Sequence, residues 1–375
     1  MNGNAGMPTP EPRTSARTLR FHWSMSSAGE KWRGAKARAA QSGVLDLDAH
    51  LEFCRAAEDC AIESLLTAVG FHRPDPIALA AALGVLTNKI KFMVACRSGL
   101  ISPTAFVQQV NTVSVLTQGR ICLNIVGGHT PEEQRYYGDF LTHDDRYERT
   151  DEFLAICRSF WSGLPEVNFQ GKYFQIEKGK LNTPFLYGQG PEIYVGGASP
   201  KAVELAVKHA SCFWTLPAGP DELFPRIQHV LDAGVEVGLL VSLIARPTRL
   251  EAVNAAHAML EALGNSPRKA HKEFAQRSDS VAFGSTLALA EREQEWLTNC
   301  LWTGAVPYLG APSIALVGSF EEIAGALWEY KLTGITQFLF MGWPDLEEMK
   351  LFNREVLPLV RARESQSRAQ EATCH

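Results

Sequence analysis

Eight short apolar runs alternate with eight helical runs over most of this 375-residue chain, and that alternation admits few folds. A strand, a helix and a second parallel strand make one crossover unit, and eight such units in series close the sheet on itself. The strand-like runs are Leu19 to Ser24, Glu63 to Val69, Lys91 to Cys96, Ile121 to Val126, Ile193 to Gly196, Cys212 to Thr215, Val235 to Ala245 and Thr336 to Met341. The helical runs are Asp46 to Ala61, Asp75 to Leu86, Thr104 to Thr117, Tyr147 to Trp161, Pro200 to His209, Asp221 to Ala233, Arg249 to Ala262 and Ser319 to Leu332. The expected fold is therefore an α/β (β/α)8 barrel, a TIM barrel, forming one domain over 18–362.

Two insertions break the alternation. Val167 to Gln175 alternates apolar and polar residues about Gly171 and reads as a β-hairpin between the fourth helix and the fifth strand. Gly264 to Ala311 lacks strand periodicity, carries mixed charge and holds one helical-looking segment, Leu287 to Cys300, so it is expected to be a mobile lid. Ser319 and Glu322 have capping-box spacing, and Gly334 stands where a left-handed helix stop belongs. Residues 1–17 and 363–375 are expected to be disordered tails.

Composition narrows the function. A net charge of -5 supplies no basic field for nucleic acid, and no apolar run approaches the roughly 20 residues of a membrane span. The start of the chain has no apolar core like that of a secretory signal, so a cytoplasmic protein acting on small molecules is expected. Eight cysteines are scattered without CxxC spacing and read as small apolar residues; no metal site is expected.

Barrel enzymes build their sites at the carboxyl ends of their strands. The fourth strand ends in Asn124-Ile125-Val126-Gly127-Gly128, delivering an amide and unhindered backbone there. The fifth ends in Gly196-Gly197-Ala198-Ser199-Pro200 directly before a helix, whose free N–H groups and positive dipole end suit an anion. The same turn could simply place Ser199 as an N-cap. Tyr147, in Asp144-Asp145-Arg146-Tyr147-Glu148-Arg149, could equally be an inward-packing helix residue.

These blocks resemble the bacterial luciferase-like, flavin-dependent monooxygenases, specifically their alkanesulfonate monooxygenase branch. Ser102-Pro103-Thr104, Gly119-Arg120, Ala315-Leu316-Val317-Gly318, Gly334-Ile335-Thr336 and Gly342-Trp343-Pro344-Asp345-Leu346-Glu347-Glu348 extend the resemblance over nearly the whole chain. The resemblance implies reduced FMN as a co-substrate, oxygen trapped as a flavin C4a-peroxide, one oxygen atom inserted into an organic substrate, and a separate NAD(P)H:flavin reductase. It implies a homo-oligomer, dimer or tetramer. It places Gly197, Ala198, Ser199 and Tyr147 at the flavin phosphate, with Asn124, Val126 and Thr67 facing the cofactor. F420-dependent oxidoreductases share the superfamily and are the rival enzymatic reading; a non-catalytic flavin-binding protein is another.

Several residues depart from the sulfonate branch. Arg73 stands where that branch has a cysteine, Leu240 and Ser242 stand at its arginine and histidine, Leu309 falls near its loop arginine, and Trp343 replaces a tyrosine. A sulfonate pocket needs cationic or proton-transferring groups. Arg73, Arg97, His22 and His72 are the candidate replacements, so a substrate other than a simple alkanesulfonate is expected. His22 could instead be a hydrogen-bonded core histidine, and Arg97 could merely pair with an acid. Trp343 is expected to stack and exclude water, since indole has no useful acid or base function. With Trp23 it would wall the pocket.

Overall fold

The computed structural model describes residues 17–25, 45–128, 130–264, 294–341 and 346–373, with short pieces at 272–273, 278–281, 284–285 and 288. Its strands are β1 (Arg20–Ser24), β2 (Ser64–Thr67), β3 (Lys91–Cys96), β4 (Ile121–Ile125), β5 (Val167–Gln170), β6 (Gln175–Gly179), β7 (Ile193–Gly196), β8 (Cys212–Thr215), β9 (Glu236–Arg246), β10 (Leu301–Trp302), β11 (Ala315–Ser319) and β12 (Ile335–Phe340). Parallel pairing runs β12-β1-β2-β3-β4-β7-β8, and β9 joins β8 to β12, closing an eight-stranded barrel. The chain is a (β/α)8 TIM barrel. The eight barrel strands are those expected from the sequence, and β5 and β6 form the expected rim hairpin.

The helices that frame the site are α1 (Leu47–Asp59), α2 (Pro76–Gly84), α3 (Pro103–Leu116), α4 (Pro131–Tyr136), α5 (His143–Trp161), α6 (Pro200–His209), α7 (Pro220–Asp232) and α8 (Arg249–Leu263). Most of their starts are locally encoded: Asp46, Asp75, Ser102, Thr142 and Ser199 each accept a backbone N–H from the first turn of the following helix. Ser319 and Glu322 close the expected capping box, and Gly334 ends that helix at φ 108°.

Side chains alternate across each barrel strand. One set packs outward against the helices in a continuous core that includes Phe21, Trp23, Phe92, Val94, Leu123, Val237 and Phe338. The other fills the lumen, where Leu66, Met93, Ala95, Cys122, Tyr194, Cys212, Trp214 and Leu339 form a second cluster. The floor of the lumen is ionic. Arg20 pairs with Glu63 and Glu192 (2.9 Å for the latter), and Lys91 pairs with Glu63 at 3.4 Å and Glu192 at 2.8 Å. Two cations thus balance two anions. Burial works against the Glu63 carboxylate, but Arg20 outweighs it and holds the group down at about 2.

Two expectations about the outer parts change. The segment to Ala311 is not all insertion: Leu301 and Trp302 pair antiparallel with β11, which itself pairs parallel with the second half of β9. Leu301, Trp302, Ala305 and Val306 are fully buried. Trp296 bridges Trp302, so 294–300 is extended and bent where the sequence suggests helix; the earlier part of Leu287–Cys300 is largely outside the described residues. The carboxyl end is also ordered, as the helix Leu357–Thr373. Glu364, buried in it, accepts from the Leu19 backbone N–H (2.7 Å), Lys331 (3.1 Å) and Arg361 (2.7 Å), clasping the start of β1. The seven described cysteines are unpaired and buried, and burial raises the thiols of Cys54 and Cys122 to about 12. No described helix is long and apolar enough to cross a membrane.

Candidate active site

The carboxyl ends of β4 and β7 meet around one tyrosine. Tyr147, in the first turns of α5, lays its ring against Gly127, where an added Cβ would lie 3.1 Å from the ring. Its hydroxyl reaches Gly197, at 3.2 Å from the corresponding Cβ position, and faces the Ser199 side chain. Burial raises the phenol above its ordinary value, with Ser199 opposing, so the hydroxyl stays protonated at neutral pH. Ser199 is buried and caps α6 through the Ala202 N–H (3.2 Å). Gly197 cannot carry a side chain, because its Cβ would fall 2.5 Å from that of Ala202. Two hydroxyls and a bare turn therefore converge at a helix N-terminus, with Gly197, Ala198 and Ser199 as the backbone wall. The N-cap reading of Ser199 holds, and the cap leaves its hydroxyl close to the opening turn.

Asn124 sits one residue inside the end of β4, opposite Ala95 of the lumen cluster, and its Oδ1 is buried without a partner among the described residues. Val126 follows two residues on and donates its N–H to the Cys96 carbonyl (3.0 Å). Arg97, immediately after β3, is buried; Nη2 donates to Glu133 Oε1 at 2.9 Å, while Nε and Nη1 are buried without partners among the described residues. An acid partner for Arg97 was expected, but it leaves most of the guanidinium unused. Glu133 also accepts the Phe71 N–H at 3.3 Å, which ties the loop after β2 to α4.

The other candidates lie elsewhere. His22 is fully buried in the lower lumen, between Ser64 (2.7 Å to Nδ1) and Gln337 (2.9 Å to Nε2), with Tyr194 and Trp214 edge-on to its ring. Gln337 donates to Glu236 (2.9 Å), so its carbonyl oxygen accepts from Nε2–H and the Ser64 hydroxyl donates to Nδ1. Burial drives the imidazole down to about 4, and the ring is neutral. It takes the core reading. Thr67 follows the lumen residue Leu66 and faces the other way; its hydroxyl donates to the Met93 carbonyl at 3.3 Å. Thr67 lines a small recess with Met25, Arg73, Pro74, Pro76 and Leu79, which places Arg73 beside the start of α2. His72 is half-buried and lowered by burial, then by Arg73. Trp23 packs outward on Phe340 and Phe352 and does not wall the lumen. Trp343 lies outside the described residues. Leu240 packs against the lumen cluster, and Ser242 is held between the carbonyls of Pro312 (2.7 Å) and Met341.

Three groups escaped the reading of the sequence. Arg146 is buried and donates to the carbonyls of Gly127 (2.9 Å) and Leu141 (3.1 Å) and to Asp279 (2.7 Å). It fixes the turn on which Tyr147 rests. Glu133 and Gln134, both buried on α4, have no local signature because the partner of Glu133 lies 36 residues back.

The luciferase-like monooxygenase model matches residues 19–337, from before β1 to the first half of β12. The chain belongs to the luciferase-like monooxygenase family. Its barrel is similar to EDTA monooxygenase from Chelativorans sp. BNC1 (TM-score 0.76, 19% identity, 92% of this chain and 94% of that one). It is also similar to a riboflavin lyase solved with modified FMN and riboflavin (TM-score 0.74, 18% identity, 92% of each chain) and to a long-chain alkane monooxygenase (TM-score 0.72, 20% identity, 92% of each chain). An F420-dependent secondary alcohol dehydrogenase shares the architecture at TM-score 0.60, with 20% identity over 92% of this chain and 99% of that one. At these identities the likenesses establish the fold alone. The alkanesulfonate branch is not distinguished within the family by these matches.

Proposed function

We propose that this luciferase-like monooxygenase uses reduced FMN, delivered by a separate NAD(P)H:flavin reductase, and O2 to oxygenate a small organic substrate other than a simple alkanesulfonate. The observation that carries the reading is the cradle in which the Tyr147 and Ser199 hydroxyls meet over Gly197 at the start of α6. Its donor set fits a phosphate monoester, and the unpartnered Asn124 Oδ1 fits the N–H of a flavin ring. Bound there, reduced flavin supplies two electrons, so that one atom of O2 enters the substrate and the other leaves as water.

The protein's own contribution is placement and exclusion of water. Tyr147 and Ser199 hold the phosphate end, Asn124 and Val126 face the ring, and Arg146 locks the Gly127 turn beneath Tyr147. Leu240, Met93, Ala95 and Leu339 make an apolar lumen below. Arg73 and Arg97 remain the candidates at the mouth, and Trp343, outside the described residues, remains a candidate from the sequence.

Anaerobic titration with reduced FMN, reduced riboflavin and reduced F420 tests this. Preference for FMN over riboflavin, followed by oxygen incorporation from labelled O2, is the expected result. Tighter binding of F420 would move the chain to the hydride-transfer class, and FMN binding without turnover of any organic substrate would leave a flavin carrier.

A further inference from the structure

Arg97 stands at the mouth of the lumen with most of its hydrogen-bonding capacity unused. Met93 and Ala95 belong to the lumen cluster, and Arg97 follows Cys96, the last residue of β3, at the carboxyl end of the barrel where sites are built. Its side chain is only 4% exposed, yet among the described residues only Nη2 has a carboxylate partner, and Nε and Nη1 have none. Buried donors of that kind are costly unless a ligand completes them. The β9 positions expected to carry cationic groups hold Leu240 and Ser242, and Ser242 is already engaged.

The surroundings define what the ligand looks like. Glu133 takes Arg97 and the Phe71 N–H on the same oxygen, so the guanidinium is tied to an aromatic rim. In that rim Phe71 and Tyr136 meet edge to face at 5.3 Å, and Tyr137 lies 6.0 Å from the guanidinium carbon. Phe71 is 62% exposed and Tyr136 57%, apolar surface left open beside a buried cation. Because Glu133 already neutralises Arg97, a carboxylate would bring an uncompensated negative charge into a buried site, whereas a neutral oxygen acceptor would not.

We propose that Arg97 is a specificity-determining residue that receives the carbonyl oxygen of a ketone-bearing aromatic substrate, with Phe71 and Tyr136 against the ring. This rests on the monooxygenase reading above and names its substrate class.

Equilibrium dialysis of the full chain with 2-acetylnaphthalene, with 2-isopropenylnaphthalene (CH2 in place of the carbonyl oxygen) and with 2-naphthoate tests it. The wild type is expected to bind the ketone about tenfold or more tighter than the hydrocarbon, the ratio typical of one satisfied buried hydrogen bond. In Arg97→Lys, which keeps the pair with Glu133 but loses the planar fork, that preference should fall below about threefold while FMN affinity holds. The double variant Arg97→Met/Glu133→Met removes both charges together and should behave likewise, guarding against misfolding of the single variant. Equal binding of ketone and hydrocarbon by the wild type, a preference that survives both variants, or tighter binding of naphthoate than ketone would overturn the assignment. So would a loss confined to FMN in Arg97→Lys, which would assign these N–H groups to the cofactor. Failure of reduced FMN to bind the wild type sinks the flavin reading instead, and leaves the ketone preference separately measurable.

Discussion

Arg146 reaches Asp279 at 2.7 Å across 133 residues of chain, from beneath the Gly127 turn to the insertion that follows α8. One buried guanidinium thereby ties the cradle to the segment beside it, giving the lid reading a concrete contact. Asp279→Asn should leave the barrel folded, weaken this tie and raise hydrogen peroxide release from reduced FMN and O2. Peroxide yield and the rate of proteolysis near 279, with and without flavin, check it; unchanged values for both would detach Asp279 from any closing role.

Tyr147→Phe removes one cradle hydroxyl while leaving the Ser199 cap intact. If the proposed cradle holds the phosphate, reduced FMN should bind about 1 to 2 kcal/mol more weakly, with riboflavin unaffected. Ser199→Ala should weaken FMN similarly but also lower the melting temperature, since a lost N-cap costs about 1 kcal/mol. Parallel losses for FMN and riboflavin would separate Tyr147 from the phosphate.

Acid should reach the lower lumen through His22. Burial lowers its pKa from 6.5 to about 4, so the unfolded chain binds a proton that the folded one refuses. The resulting contribution is complete above about pH 6.5, shrinks as pH falls towards 4, and amounts to at most roughly 3 kcal/mol. Compared by urea denaturation, His22→Gln should lose less stability than wild type between pH 7 and 4.5. Equal losses would show that other groups carry the acid sensitivity.

Short alkanesulfonates should release little sulfite. Leu240 offers no charge, and Ser242 is committed to the carbonyls of Pro312 and Met341. A sulfite assay with reduced FMN supplied in excess measures this, and efficient release would return the chain to the sulfonate branch.

The reach of the insertion can be found by deletion. Removing 265–293 should leave a folded barrel, whereas removing 264–311 strips β10 and exposes the edge of β11, which invites aggregation. Size-exclusion profiles of the two variants distinguish these outcomes; a monodisperse, cooperatively folded longer deletion would show that β10 is dispensable.

Barrel order was legible because strand runs were bounded by turn residues and most helices by a cap, as at Ser199 and Ser319. β11 was harder: Ala315 to Val317 is buried, so it shows no alternation, and its partner β10 is two residues long. The Tyr147 cradle could be anticipated from Gly-rich turns and the family resemblance. The direction of Thr67 needed the parity of Leu66, which only strand pairing supplies. Arg146, Glu133 and Arg97 find their partners through the fold, over separations of 133 and 36 residues, beyond the reach of local pattern.

The ionic floor made by Arg20, Lys91, Glu63 and Glu192 sets paired charges across the amino-terminal end of the barrel, a vessel whose apolar lumen lies above them. On the monooxygenase reading proposed above, flavin and organic substrate would both enter at the carboxyl ends of the strands, and whichever enters second would stand in the way of the first. Traffic in such a vessel is queued: the deeper guest arrives first and leaves last, so steady-state kinetics with both varied should follow an ordered scheme rather than a random one.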